Sequence, residues 1–246
     1  CQRVITHGGN QPNVIPKKAS VWWYFRGSSA DLALQVYERA KKMAEGAALM
    51  TNTTFDVELQ SAVWPVRGNQ TLAELVQAEY ESLGPPDWTQ EEDDLARTLQ
   101  AKAGVKVEGL SRSTLKLRGP AVQKTAGNDA GDVSWKVPMA KIYFPSNIPN
   151  INFHHWAAGV ALASSIAHKG AVAGAKVLAG SIIECFSNPQ VVADAKATFK
   201  KEIEDTEYFS MLPPDQKPPL DLNRNMMEQF RPLMRPHYLK ERPKFR

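Results

Sequence analysis

Two hydrophobic periods alternate along the chain. Cys1 to Thr6 reads as a strand running into a turn at Gly8-Gly9, and Pro12 and Pro16 hold the following loop extended. Val21 to Arg26 is β-prone and aromatic on both parities, through Trp22, Trp23, Tyr24 and Phe25. A helix is predicted from Ser28 or Ser29, each a good N-cap. Its stripe is Leu32, Val36, Ala40, Met43, Ala47 and Met50, steps of four and three that mark one helical face. Thr54 to Leu59 returns to period two, with Phe55, Val57 and Leu59 inward, and predicts a further strand. Residues 1–67 therefore read as a small antiparallel sheet carrying a helix on one side.

Helical periods dominate from Asn69. Thr71 with Glu74 forms a possible capping box ahead of Leu72, Leu75, Val76 and Leu83. Pro85-Pro86 interrupts, and Thr89 with Glu92 starts a helix to about Lys102. Residues 104–126 are polar and carry no assignable period. Val133 to Phe144 predicts one or two strands around Pro138, followed by helices from Ser164 or Ser165 to about Phe186 and from Pro189 to about Glu204. The segment from Pro213, rich in Pro and Arg, reads as an extended arm over the surface or onto a partner.

Composition adds bounds. With 246 residues, 43% hydrophobic and 23% charged, the chain has the make-up of an ordinary globular protein. Its net charge is +4, and residues 212–246 alone hold eight basic against four acidic side chains, so the body is neutral. That placement argues against nucleic acid, whose binders carry a basic face on their folded part. Charged residues Lys169, Lys176 and Glu184 interrupt the best apolar run, so no membrane span is expected. Cys1 and Cys185 are too few for a disulfide framework. A leading Cys1 raises one alternative, an N-terminal-nucleophile hydrolase in which the free amine serves as base to the thiol.

Candidate chemistry gathers between Gly127 and Gly170. Here stand Gly127-Asn128-Asp129-Ala130-Gly131-Asp132-Val133-Ser134-Trp135, then Phe153-His154-His155-Trp156, then Ala167-His168-Lys169-Gly170. Imidazoles and carboxylates at glycine-shaped turns suit a metal or acid–base site, yet zinc wants three or four protein ligands and two adjacent histidines cannot close one. His154 is read as either a metal ligand or a packing or capping residue. Asp129 and Asp132 either organise their turn or support a metal, and His155 and His168 are read as supporting or structural. Glu91 to Asp94 reads as an acidic first helical turn.

These residues resemble a known family. Gly8-Gly9-Asn10-Gln11-Pro12-Asn13-Val14-Ile15-Pro16 with an aromatic strand ending in Arg26 resembles the lid motif of aminoacylase and carboxypeptidase-G-like metallohydrolases. Asn128 to Trp135, His154-His155-Trp156 and Ala167 to Gly170 resemble three later motifs, in order, of the aminobenzoyl-glutamate utilization group within it, and Glu207-Tyr208 to Pro219 resembles its ending. The resemblance implies an α/β fold: the C-terminal part of a two-domain metallohydrolase. It divides into a partial antiparallel lid or dimerisation domain with its helix (1–67), part of the catalytic α/β domain (68–222) and a Pro/Arg-rich arm (223–246). It implies a binuclear zinc or manganese amidohydrolase cleaving an N-acyl amino-acid amide bond, in which two metals activate a bridging water. It implies His154 as metal ligand and Asn13 and Arg26 as holders of a substrate carboxylate. Asp129, Asp132, His155 and His168 stand around the metal ligand. No catalytic residue is expected in this chain itself. The other ligands are expected on a missing N-terminal segment or subunit, with dimerisation through the lid and a small N-acyl amino acid as substrate. The alternative is a non-catalytic structural or regulatory subunit that keeps the fold.

Overall fold

The computed structural model describes residues 1–117 and 127–238. Part of the polar segment 104–126, and the arm beyond residue 238, lie outside the described residues. Helices and one two-stranded antiparallel sheet make up the regular structure. Contacts divide it into two units, residues 1–40 with 63–209, and residues 41–62 with 210–246.

In the first unit, β1 (Gln2–His7) pairs antiparallel with β2 (Ser20–Tyr24), with Arg3 opposite Trp23 and Val4 opposite Trp22. Cross-strand placement sets the Arg3 guanidinium 5.1 Å from the Trp23 ring. The two parities of the aromatic run separate as the pleat requires. Trp22 and Tyr24 share one face at 5.5 Å, and Trp23 stacks on Phe25 at 5.6 Å on the other. Phe25 then meets Tyr37 of α1 (Ala30–Thr51) edge-on at 5.9 Å. The Oγ of Ser29 caps α1, accepting from the Leu32 amide at 3.2 Å.

One expectation for this region is corrected. Thr54 to Leu59 has the predicted alternation but forms no strand, and Phe55 and Val57 are exposed. Both outer edges of the sheet stay unpaired among the described residues. The α1 stripe does run along one helix, but Leu32, Met43 and Met50 on it are exposed. Periodicity marked a helical face but could not supply its cover.

The other regular elements described in this unit are helices. It comprises α2 (Gln70–Leu83), α3 (Gln90–Lys102), the short α4 (Ala130–Ser134), α5 (Trp156–Leu162), α6 (Ser165–Ser187) and α7 (Pro189–Glu202). α2 and α7 pack on α6 and on each other, and α5 joins α6 to α3. Close approach is set by small residues. A Cβ at Gly174 would lie 2.6 Å from the Phe144 ring, and one at Gly170 would lie 2.5 Å from the Ser146 Cα. The core unites Trp88, Ala96, Leu99, Leu110, Ile148, Ala157, Ala161 and Ile166. By length and composition alone α6 would also suffice to cross a bilayer. In the structure it is the helix on which α2, α5 and α7 pack.

The Thr71–Glu74 box is likewise corrected. The N-cap of α2 is Asn69, buried, whose side-chain oxygen accepts from the Leu72 amide at 3.1 Å. Thr71 lies inside the helix and shares a hydrogen bond with Thr198 of α7 at 2.9 Å. The Thr89–Glu92 box forms as expected. Val133 to Phe144 gives no strand: its first residues finish α4, and the rest runs irregularly past Pro138. Proline there denies a ladder donor.

The second unit holds the C-terminal half of α1, residues 53–62 without regular structure, and a tail containing α8 (Arg224–Met234) followed by a single 3-10 turn, Arg235–His237. The arm is therefore not wholly extended. Met226, Met227, Phe230, Leu233 and Met234 do carry a helical period, short enough to be hidden among the prolines.

Candidate functional site

The first motif becomes a knot of three chain segments. α4 opens on Asn128 and Asp129, whose side-chain oxygens both accept from the Ala130 amide. One turn on, half-buried Asp132 receives the Trp64 amide at 3.4 Å on one oxygen and the Tyr208 hydroxyl at 3.0 Å on the other. Buried Ser134 donates to the Gly131 carbonyl at 2.6 Å and accepts from the Arg67 amide at 3.0 Å. The indole of Trp135 donates to the Pro65 carbonyl, and that of Trp64 to the Phe209 carbonyl at 2.7 Å. Rings of Trp64, Trp135, Tyr208 and Phe209 close around these bonds, with Arg67 over Trp135 and Lys136 over Tyr208. Burial, reinforced by the bond to Asp132, pushes the Tyr208 hydroxyl above its usual pKa. Gly131 is obligatory, because a Cβ there would sit 1.8 Å from the Trp64 carbonyl oxygen.

The Ala167–Gly170 motif acts through Lys169. Its ammonium reaches Glu92 at 2.8 Å and the Asp87 carbonyl at 2.7 Å. Glu92 is buried and also receives Ser165 Oγ at 2.6 Å and the Thr89 amide at 2.8 Å. Burial alone would push this carboxyl up, but the bonds from Lys169, Ser165 and Thr89, with the Lys169 charge, hold it down at about 2. Next to it, buried Asp93 accepts from the Leu110 amide at 2.8 Å and from Arg97 Nε at 2.7 Å, which together lower its pKa against the cost of burial. Gln100, fully buried, completes this polar face of α3. Its oxygen takes the Glu108 and Gly109 amides, and its nitrogen donates to the Gly109 and Pro149 carbonyls. Helix α3 thus fixes the loop 104–111 by side chains whose bonding capacity is used.

Histidines cluster at the head of α5. His155 is its N-cap, its Nδ1 accepting from the Ala157 amide at 3.2 Å while its ring lies 5.3 Å from Trp156. An imidazole can cap as a carboxamide does, provided that Nδ1 is the unprotonated nitrogen. Its neighbour His154 points into solvent on the turn Asn152–His155, flanked by exposed Phe153 and Trp156. His168 is exposed on α6.

In the lid region, Asn13 is exposed in the β1–β2 loop. A concavity in that loop is lined by His7, Asn10, Ile15, Lys17 and Lys18 among others, and neither Asn13 nor Arg26 borders it. Arg26 follows β2 with its guanidinium 5.7 Å from the Tyr24 ring. Exposed Cys1 precedes β1.

Among the described residues no three His, Cys, Asp or Glu side chains converge well enough to hold a metal ion. The described donors therefore do not make up a binuclear site by themselves. Asp132, Glu92 and Asp93 spend their oxygens on protein donors. The roles of Trp64, Tyr208 and Lys169, and the pairing of Glu92 with Lys169 beyond its place in the capping box, could not be read from sequence, since each depends on a partner more than 65 positions away. Lys169 and Tyr208 nonetheless fall inside stretches that the sequence singles out.

The chain is 26% identical over 240 residues to the B subunit of p-aminobenzoyl-glutamate hydrolase from Escherichia coli (strain K12), an alignment covering 87% of this chain and 50% of that protein. It is 24% identical over 208 residues to Xaa-Arg dipeptidase of Mus musculus, covering 84% of this chain and 42% of that one. The chain spans about half the length of the curated relatives it matches. No protein-family model matches it, and no solved structure does.

Proposed function

We propose that this chain is the C-terminal part of a metal-dependent amidohydrolase that cleaves the amide bond of an N-acyl amino acid, with an aminobenzoyl-glutamate-like compound as the first substrate to try. One observation carries the reading: the similarity to one hydrolase and one dipeptidase extends over more than four-fifths of the chain. The geometry supports it at one point. His155 caps α5 and leaves the adjacent imidazole of His154 facing outward, available to a metal whose other ligands come from further polypeptide. On this reading the bound metal pair, zinc or manganese, supplies an activated water. This chain's own share is to present His154, to hold the substrate carboxylate through Asn13 and the fork of Arg26, and to pair through the lid sheet.

The second reading is a non-catalytic structural or regulatory subunit that keeps the fold. Metal content and turnover separate the two. In the complete protein or complex, about two metals per protomer and release of aminobenzoate are expected. His154→Ala should lower bound metal and cut kcat/KM by at least about a hundred-fold. Unchanged metal content and rate in that variant would remove His154 from the site. No metal in the complete protein supports the subunit reading. Activity abolished by thiol alkylation with metal retained points instead to Cys1.

A further inference from the structure

The tail carries a helix whose polarity nothing above uses. On α8, Met226, Met227, Phe230, Leu233 and Met234 fall at i, i+1, i+4, i+7 and i+8 and form one apolar arc. Phe230 and Leu233 are 51% and 68% exposed. Arg224, Arg231 and Arg235 follow at i, i+7 and i+11 along the flank beside Met227, and Arg224 is paired with Asp221. Glu228 shares that flank but lies farthest around the helix from the centre of the arc. The arginine flank lines a groove of about 570 Å³ with Leu220 and Asn223.

Charge decides what such a helix meets. The protein's whole positive excess resides in residues 212–246, eight basic against four acidic. A protein groove would need only the apolar arc, whereas an anionic bilayer uses the arc and the arginines together. We propose that α8 lies on the surface of an anionic phospholipid bilayer, its apolar arc at the acyl boundary and Arg231 and Arg235 against lipid phosphates. This does not depend on the hydrolase reading.

Vesicle sedimentation of the whole chain tests it. The chain should sediment with phosphatidylcholine vesicles containing phosphatidylglycerol, and at least about ten-fold less with phosphatidylcholine alone, with binding falling as salt rises. Phe230→Asp with Leu233→Asp should abolish binding. Arg231→Gln and Arg235→Gln should each weaken it about five-fold, the factor matching about 1 kcal/mol per basic residue at an anionic leaflet. Unchanged thermal melting, expected because the arc is exposed, verifies the fold of each variant. No sedimentation with the anionic vesicles, equal sedimentation with both kinds, or wild-type binding by the aspartate variant overturns the proposal. So does a drop in oligomeric size in that variant, which would assign the arc to a second copy of the chain.

Discussion

At the scale of single residues, the structure turns on a few side chains with every bond used. Gly131 has no room for a methyl group, because backbone rather than a movable side chain occupies the space. Gly131→Ala should lower unfolding free energy in urea by about 3 kcal/mol, whereas Gly46→Ala, with nothing near its Cβ, should be neutral or stabilising. Glu92 supplies a pH test. Its folded value of about 2 lies below the ordinary carboxyl value, so its contribution is complete above about pH 4.5 and is lost as pH falls toward 2. Replacing Lys169 by Met should cost about 2 kcal/mol at neutral pH, discounted for the partial exposure of the lysine, and should flatten the fall in stability across that acid window. Equal slopes in the two proteins would show that the pair is not what titrates. At this scale sequence was a partial guide. It marked Asp132 and the Lys169 motif as special without revealing that Asp132 binds a tyrosine and an amide, or that Lys169 rather than His168 turns inward.

At the scale of elements, periodicity and capping chemistry placed the helices more reliably than the strands. α1, α3, α6 and α7 begin close to where their caps or Pro189 predicted. α5 was hidden because His155, an uncommon cap, starts it, and α8 because Pro232 lies within it. Two of the predicted strand segments failed together: among the described residues Thr54 to Leu59 and Val133 to Phe144 join no sheet, and β-like composition does not by itself supply a pairing partner. The α2 cap can be checked directly. Asn69→Ala removes the bond to Leu72 and a buried amide donor to the Ala195 carbonyl, and should cost about 2 kcal/mol. Thr71→Ala should cost less, about 1 kcal/mol, through loss of the Thr198 contact alone. The reverse order in chemical denaturation would restore the Thr71 capping box.

At the scale of the whole molecule, the apolar pattern reports burial capacity beyond what the described residues use. Val172, Ile182, Ile183 and Phe186 on α6 and Leu32, Met43 and Met50 on α1 are exposed, although each group repeats at helical intervals. Sequence shows which face of a helix is apolar but not which polypeptide covers it. The candidate site follows the same logic, with His154 presented outward and no ligand set converging on it among the described residues. One remaining consequence concerns time rather than stability. The indole bond from Trp64 to Phe209 joins positions 145 residues apart, whereas α5, α6 and α7 meet their neighbours through short connections. Closing so long a loop costs entropy that local pairing does not incur. During refolding, far-ultraviolet ellipticity should therefore recover first and the environment of Trp64 last, leaving an interval in which a helical but unfastened chain is open to proteases between residues 205 and 212.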